Sequence, residues 1–184
     1  MTLSEMLQRL AQILRAESIR RGHFVLASGR TSDFYLDCRR TTLHPEGAFL
    51  IGNVILATID RKGWECRAVG GLTLGADPMA AATAVVSHLA GRPVAAFLVR
   101  KEAKGHGTGQ QIENAPPAGS PVVLVEDVIT TGGSTLLALQ ACRAATLDVR
   151  GVVALVDREE GGRANLEAQG LAVEALFTAR QLLA

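Results

Sequence analysis

One stretch, residues 122–134, strongly constrains the fold because its sequence, VVLVEDVITTGGS, joins a strand-like run to a polar turn. The four aliphatic residues Val122–Val125 have the composition of a strand covered on both faces, as in a parallel sheet. Two carboxylates, Glu126 and Asp127, follow, and a run of threonines, glycines and a serine leads into a helical pattern over 135–145. The stretch therefore predicts a strand, a turn and a helix N-terminus in direct succession.

The predicted turn has the properties of a phosphate site. Glycines let the backbone approach closely, the first N–H groups of a helix are free, and the helix dipole favours an anion. Because carboxylates repel phosphate, Glu126 and Asp127 need another partner, and sugar hydroxyls or a bridging Mg²⁺ suit them. These ligands together describe a sugar phosphate, whereas the alternative is an acidic turn before an ordinary helix cap. The spacing matches neither a Walker P-loop nor a G-x-G-x-x-G fingerprint.

Strand-like and helical segments alternate along most of the chain. Helices are expected over 2–18, from Pro45 to about Lys62, and, with Asp77 as N-cap, to about Leu89. A hairpin is expected over 22–37. Further strands are expected at 67–70, 94–99, 122–125, 151–156 and 172–177. Helices between strands predict an α/β fold, a mostly parallel sheet flanked by helices, with loops 70–75, 100–115 and 126–134 at its ligand-binding carboxyl edge.

The composition narrows the class of protein. Hydrophobic content of 48% and a net charge of +1 give no reason to expect a nucleic-acid or membrane partner. No run reaches the ~18 apolar residues of a membrane span, and the N-terminus does not have the pattern of a signal peptide. Cys38, Cys66 and Cys142 are too widely spaced for a disulfide framework or a zinc site. We therefore expect reduced thiols and a cytoplasmic location. The length of 184 residues predicts a single domain over 1–184.

A long polar segment precedes the central strand. Residues 100–111 read RKEAKGHGTGQQ and hold two of the three lysines, Lys101 and Lys104, although the chain contains sixteen arginines. This retention of lysine indicates that a compact ammonium is wanted there. With Arg100 and His106, these cations on a glycine-rich loop suit a lid that offsets the charge of a departing pyrophosphate. The alternative is a solvated surface loop.

These motifs resemble those of a known family. VVLVEDVITTGGS is similar to the phosphoribosyl-pyrophosphate (PRPP) motif of the type I phosphoribosyltransferases. Arg-Lys-Glu-x-Lys-x-His-Gly at 100–107 resembles the catalytic loop of their orotate phosphoribosyltransferase branch. Residues 24–35 resemble the hairpin that covers the base there, and Val156-Asp157-Arg158 resembles its base-site strand end. The resemblance spans about 22–160 and implies the Mg²⁺-dependent reaction orotate + PRPP ⇌ orotidine 5′-monophosphate + pyrophosphate, a step towards UMP.

The resemblance also implies an architecture and an assembly. It implies a type I phosphoribosyltransferase-like sheet with a small N-terminal helix and hairpin hood over the base site, within 1–40, and a mobile catalytic loop over 100–115. In this family the loop reaches into the neighbouring subunit's site, which implies a homodimer. We expect Mg²⁺ to be carried by PRPP oxygens and water, with no residue of the chain assigned as a metal ligand.

Residue roles follow from the resemblance. Glu126 and Asp127 would hold the ribose 2′- and 3′-hydroxyls and stabilise an oxocarbenium-like transition state. PRPP would also contact the turn at Val128, Ile129, Thr130, Thr131, Gly132, Gly133 and Ser134. The pyrophosphate would contact Arg100, Lys101, Lys104 and His106. The catalytic set is therefore Lys101, Lys104, His106, Glu126 and Asp127, with His106 acting either as a proton donor or as a hydrogen-bond partner.

The base site is expected at the end of the next strand. Thr130 would contact orotate, and Arg158 would grip its carboxylate with two parallel hydrogen bonds. The alternative for Arg158 is an ion pair with Glu159 or Glu160, and Tyr35 either stacks on the base or packs in the core.

Two positions depart from the family pattern and two other functions stay open. Ala27 and Leu74 stand where some members have lysine, so a base contact and a pyrophosphate contact are missing or differently supplied. Another nucleobase phosphoribosyltransferase, using a purine or uracil, would share the PRPP motif. A non-catalytic PRPP-sensing regulator would need an added DNA-binding domain or a basic face.

Overall fold

The N-terminal part forms a helix and an antiparallel hairpin. The computed structural model describes residues 1–25, 31–102 and 111–184. Helix α1 (Leu3–Ile13) begins at a capping box of Thr2 and Glu5, and a π-helical turn, Leu14–Ser18, follows it. Strands β1 (Ile19–Val25) and β2 (Thr31–Leu36) pair with a register shift between Arg21 and Phe24. The predicted hairpin is confirmed, although it begins three residues earlier, and the short helix α2 (Arg39–Thr42) follows it.

The remaining strands form one six-stranded sheet. They are β3 (Ala68–Leu72), β4 (Ala95–Val99), β5 (Ile112–Glu113), β6 (Pro121–Ile129), β7 (Asp148–Asp157) and β8 (Val173–Thr178). Their order is β5-β4-β3-β6-β7-β8, and every neighbouring pair is parallel except β4 with β5. The predicted mostly parallel α/β sheet is therefore confirmed.

Helices cover both faces of this sheet. The other helices are α3 (Pro45–Arg61), α4 (Ala76–Leu89), α5 (Gly133–Ala144), α6 (Gly162–Glu167) and α7 (Ala179–Leu183). Residues of α1, α3, α4 and α7 pack with Val123 and Val125 in one core cluster, whereas those of α5 and α6 pack with Val122 and Leu124 in the other. Strand β6 is thus buried on both faces, as its four consecutive aliphatic residues predict.

Three sequence-based boundaries were wrong. Strand β6 continues through both acidic residues to Ile129 because its pairing with β7 continues to that point. Helix α4 begins at Ala76 with Gly75 as N-cap, so Asp77 is not the cap. Pro78 is tolerated there because the first N–H groups of a helix have no intrahelical partner. The polar segment after β4 contains β5, which is held by pairing with the end of β4.

Other sequence-based expectations concern side chains and membranes. Cys38, Cys66 and Cys142 carry free thiols. In the described ranges, no helix combines the length and the apolar character needed to cross a membrane. Within the same ranges, no cluster of three or more His, Cys, Asp or Glu side chains has the arrangement of a metal site.

Candidate active site

A cleft of about 430 Å³ opens at the carboxyl end of the parallel strands. Its walls come from the end of β2 and the start of α2, the loop after β3, the end of β4, the β6–α5 segment and the end of β7. Seven of the predicted site residues line it: Lys101, Glu126, Asp127, Val128, Thr130, Ser134 and Arg158. The sheet topology thus brings together residues that are far apart in the sequence.

Glu126 is held in a buried orientation. Glu126 lies in β6 and is only 6% exposed. Its Oε2 accepts a hydrogen bond from the Thr135 hydroxyl at 2.7 Å. Burial raises the pKa of Glu126 to about 8, the Asp127 charge adds to this, and the Thr135 hydrogen bond acts against it. Thr135, in the first turn of α5, therefore controls both the orientation and the charge of this carboxyl group.

The Asp127 carboxylate contacts the backbone of the next residue and lies close to the loop that follows β3. Its Oδ1 accepts a hydrogen bond from the Val128 N–H at 2.9 Å. The carboxylate lies so close to Gly75 that a Cβ at that position would collide with it. Although consecutive strand residues point to opposite faces, both acidic residues line the cleft, since they lie in the last four residues of β6.

The turn after β6 is held through its carbonyl groups. Ile129 O accepts from Arg158 N at 2.9 Å, Thr130 O accepts from Gly162 N at 2.9 Å, and Thr131 O accepts from Asn165 Nδ2 at 3.0 Å. Gly132 has φ of +84°, a left-handed conformation that favours glycine, and no side chain caps α5. The N–H groups at the start of α5 are therefore open to an anion.

Arg158 contacts both an aromatic ring and an acid. Its guanidinium lies 5.0 Å from the centre of the Phe34 ring in the hairpin. Its Nε lies 2.9 Å from Glu160 Oε1, and the Arg158 side chain is only 12% exposed. Glu159 instead pairs with Arg180 at 3.1 Å. The ion pair with Glu160 is thus present, and Arg158 borders the cleft as well.

The predicted cationic loop is described only at its ends. Lys101 lines the cleft. Arg100 pairs with Glu113 at 2.7 Å, and its N–H donates to Gln111 O, so it joins the two ends of the loop and is not a cleft-lining residue. Lys104 and His106 lie outside the described residues, as does Ala27.

The remaining predicted PRPP contacts and Tyr35 are placed differently. Ile129 is buried, and Thr131, Gly132 and Gly133 form the turn without lining the cleft. Tyr35 lines the cleft, is 41% exposed and lies 5.7 Å from Phe24 between ring centres. Core packing, one of the two alternatives for Tyr35, is therefore wrong.

Sequence reasoning missed one wall of the cleft: Asp37, Cys38 and Arg39, between the hairpin and α2, line it. Leu74 and Gly75 line it as well, in the loop 70–75 that the sequence predicted at this edge. The charges of Asp37 and Arg39 were visible, but no motif marked them. Thr135 was also missed, although its position in the first turn after the acidic pair was a usable signal.

A mostly parallel sheet with two carboxyl groups and an open helix N-terminus at its carboxyl edge defines a nucleotide- or sugar-phosphate-binding α/β protein. No protein-family model matches the chain. The chain is 45% identical to the orotate phosphoribosyltransferase of Rhodopirellula baltica over 93% of this chain and 91% of that protein. It is also 45% identical to the orotate phosphoribosyltransferase of Aquifex aeolicus, over 96% and 97%.

Solved structures agree with these relatives. The Mycobacterium tuberculosis orotate phosphoribosyltransferase superposes with a TM-score of 0.85 and 41% identity over 96% of this chain and 98% of that chain. The same protein has been solved in complex with PRPP, where the TM-score is 0.82 and the identity 37% over 97% and 99%. The chain belongs to the orotate phosphoribosyltransferase family.

Proposed function

We propose that this protein transfers the ribose 5-phosphate group from PRPP to orotate, giving orotidine 5′-monophosphate and pyrophosphate for UMP synthesis. In this reaction the bond from C1 of the ribose to pyrophosphate breaks and a bond from C1 to a nitrogen of orotate forms. The main support for this proposal is that one cleft is lined by the acids Glu126 and Asp127, by the open turn before α5, and by Arg158.

The acidic pair and the turn suit the two ends of a ribose 5-phosphate. Carboxyl groups accept hydrogen bonds from the 2′- and 3′-hydroxyls, and an ionised carboxylate stabilises the positive charge that develops on the sugar. In the turn over 128–134, the carbonyls of 129–131 are already bonded to 158–165, so N–H groups and hydroxyls are what it would offer to the 5′-phosphate. We therefore propose that Glu126 and Asp127 are catalytic and that this turn binds the phosphate.

Orotate needs a cation for its carboxylate. Arg158 supplies one at the end of β7, and its contact with Phe34 joins the base site to the hairpin. We propose that Arg158 and Thr130 contact the base and that the helix and hairpin within 1–40 form its hood. The whole chain, 1–184, would then act as one phosphoribosyltransferase domain.

Pyrophosphate would be held by the cationic loop. Lys101 is already in the cleft, and Arg100 anchors the end of the loop through Glu113. We propose that Lys101, Lys104, His106 and Arg100 act on the leaving group, that the 100–115 loop completes the neighbouring subunit's site, and that the active form is a homodimer.

Mg²⁺ would reach the site on its substrate. Mg²⁺ commonly keeps several waters and binds through substrate phosphates, so it does not need a cage of protein ligands. The described residues fit this mode, because the cleft holds the carboxyl groups of Glu126 and Asp127, which suit the sugar hydroxyls of PRPP. When bound, the metal would neutralise the charge of the pyrophosphate.

The free cysteines are compatible with our expectation of a cytoplasmic location.

A base panel tests this proposal. Purified protein is mixed with PRPP, Mg²⁺ and, separately, orotate, uracil, hypoxanthine, guanine, xanthine or adenine, and both nucleotide and pyrophosphate are measured. We expect turnover with orotate alone. Turnover with another base would leave the PRPP site intact but contradict the role of Arg158. Binding of PRPP without turnover of any base would favour a PRPP-sensing regulator.

A further inference from the structure

We propose that Arg39 binds the pyrophosphate group of PRPP, an inference that rests on the proposed function. Neither the motifs nor the family resemblance assigned a role to this residue. Arg39 lines the cleft, few other accessible cations line it, and the loop after β3, which also lines it, carries none.

The Arg39 side chain is held by an ion pair that does not occupy all of its hydrogen-bond donors. Its Nε lies 2.8 Å from Asp37 Oδ1 and its Nη2 lies 3.1 Å from Asp37 Oδ2, so one edge of the guanidinium is fixed. The Nη1 group, with two N–H donors, lies outside this pair, and the Arg39 side chain is 53% exposed. The ion pair therefore orients the guanidinium and leaves donors for a ligand.

The charge of the cleft supports a ligand at this position. Among the described residues that line it, three are positive and three are acidic: Arg39, Lys101 and Arg158, and Asp37, Glu126 and Asp127. PRPP carries a phosphate and a pyrophosphate, so its binding depends on the cations that the cleft leaves accessible. Arg158 is largely buried between Phe34 and Glu160. Lys101 and Arg39 are therefore the cations that the described walls offer to a polyanion.

The pyrophosphate group needs a binding place apart from that of the 5′-phosphate. The 5′-phosphate already has the turn before α5, so a second anion must lie elsewhere in the cleft. Arg39 and Asp127 both line the cleft, as does the loop at 73–75. Asp127 in turn lies against Gly75. Arg39 thus shares the cleft with Asp127 and with the loop at 73–75.

The loop itself lacks a cation. Leu74 lines the cleft and is 71% exposed, at a position where some members of the family have lysine. An exposed leucine offers nothing to a phosphate oxygen. A guanidinium can make two parallel, charge-assisted hydrogen bonds to phosphate oxygens. Arg39 therefore supplies from α2 the charge that position 74 does not.

The test compares neighbouring arginines. Arg39→Gln removes the charge at the cleft, and Arg39→Lys keeps a charge without the fork. Arg40→Gln is the matched control, because Arg40 is similarly exposed, pairs with Glu17 at 3.5 Å and does not line the cleft. Steady-state kinetics give KM for PRPP and orotate in the forward direction and for pyrophosphate in the reverse direction.

We expect Arg39→Gln to raise KM for PRPP and for pyrophosphate about tenfold, because a charge-assisted hydrogen bond to the anion is lost. KM for orotate should stay within about twofold. Arg39→Lys should give a smaller increase, and Arg40→Gln should match the wild type. A purely structural role would not separate pyrophosphate from orotate in this way.

Two results would overturn the inference. One is unchanged KM for PRPP and pyrophosphate in Arg39→Gln, and the other is an effect on orotate alone, which would place Arg39 at the base. Thermal melts check that the variants fold. If Arg39→Gln does not fold, the kinetics of Arg39→Lys, which can still pair with Asp37, test the inference instead. If the wild type does not turn over orotate, the proposed function fails, and calorimetric titration with Mg²⁺-pyrophosphate still tests Arg39 separately.

Discussion

The two walls of the cleft are built differently. The β6–α5 wall continues the central strand, which pairs with β3 and β7 and buries Val122, Val123 and Leu124 completely. The hairpin wall, β1–β2, pairs only with itself in a two-stranded sheet; most residues of β1 are exposed, and exposed residues alternate along β2. The groups proposed to act on the ribose are therefore fixed by the core, whereas those proposed to select the base depend on a peripheral element.

The energies of the two walls differ accordingly. Each fully buried aliphatic side chain in β6 contributes about 1.5–3 kcal/mol to stability. The contact that joins the hairpin to the base site, Phe34 with Arg158, is a cation–π interaction worth about 0.5–2 kcal/mol. Changes in the first wall should therefore affect catalysis strongly, and changes in the second should affect mainly the binding of the base.

The largest effect is expected at Asp127. Asp127→Asn keeps the shape but removes the charge that we propose stabilises the transition state, so kcat should fall about 10²–10³-fold. Steady-state kinetics measure this, and Asp60→Asn, at a surface pair with Arg92, is the control. A kcat within a few-fold of the wild type would show that this wall does not carry the chemistry.

The raised pKa of Glu126 predicts that the stability of the protein depends on pH. Because its folded pKa is raised from 4.5 to about 8, the protonated form stabilises the ligand-free protein fully below about pH 4.5, and this contribution is lost as the pH rises to about 8. Between pH 5 and pH 8.5 the free energy of unfolding of the wild type should fall by about 2–4 kcal/mol relative to Glu126→Gln. Urea unfolding of both proteins at the two pH values measures the difference, and parallel behaviour would contradict it.

Thr135 tests whether the buried carboxyl group needs its hydrogen bond. Thr135→Val preserves the shape but removes the donor to Glu126, so we expect kcat/KM for PRPP to fall about tenfold. Thr135→Ser keeps the hydroxyl and should stay within a few-fold of the wild type. Equal losses in the two variants would assign the effect to the methyl group instead.

The smallest effect is expected in the hairpin wall. Phe34→Leu removes the ring over Arg158, and we expect KM for orotate to rise about threefold with kcat nearly unchanged, because a partly exposed cation–π contact is weak. Phe49→Leu, at an exposed phenylalanine outside the cleft, is the control. An effect on kcat as large as that of Asp127→Asn would remove the distinction between the walls.

The same difference explains what the sequence could predict. Strong local patterns, such as the aliphatic run of β6 and the turn before α5, specify a strand and a helix start without reference to the rest of the chain. The end of β6 was missed because Glu126 and Asp127 have poor strand propensity and are held there by the ladder with β7. Strand β5 has two residues, too few for any period, and depends on pairing with β4.

Residues of the site divide in the same way. Glu126, Asp127, Thr130 and Ser134 lie in one motif, and all four line the cleft. Arg39 comes from a four-residue helix almost ninety positions away from that motif, so tertiary packing brings it to the cleft. The pairing of Arg158 with Phe34 likewise depends on how the hairpin lies over β7.

A crystal structure of the protein with Mg²⁺ and PRPP would test the central claim most directly. We predict that the ribose hydroxyls lie within hydrogen-bonding distance, about 2.7–3.2 Å, of the Glu126 and Asp127 carboxyl groups, and that the 5′-phosphate lies on the turn before α5. A structure in which the pyrophosphate occupies that turn, with the two acids facing no hydroxyl group, would contradict the account.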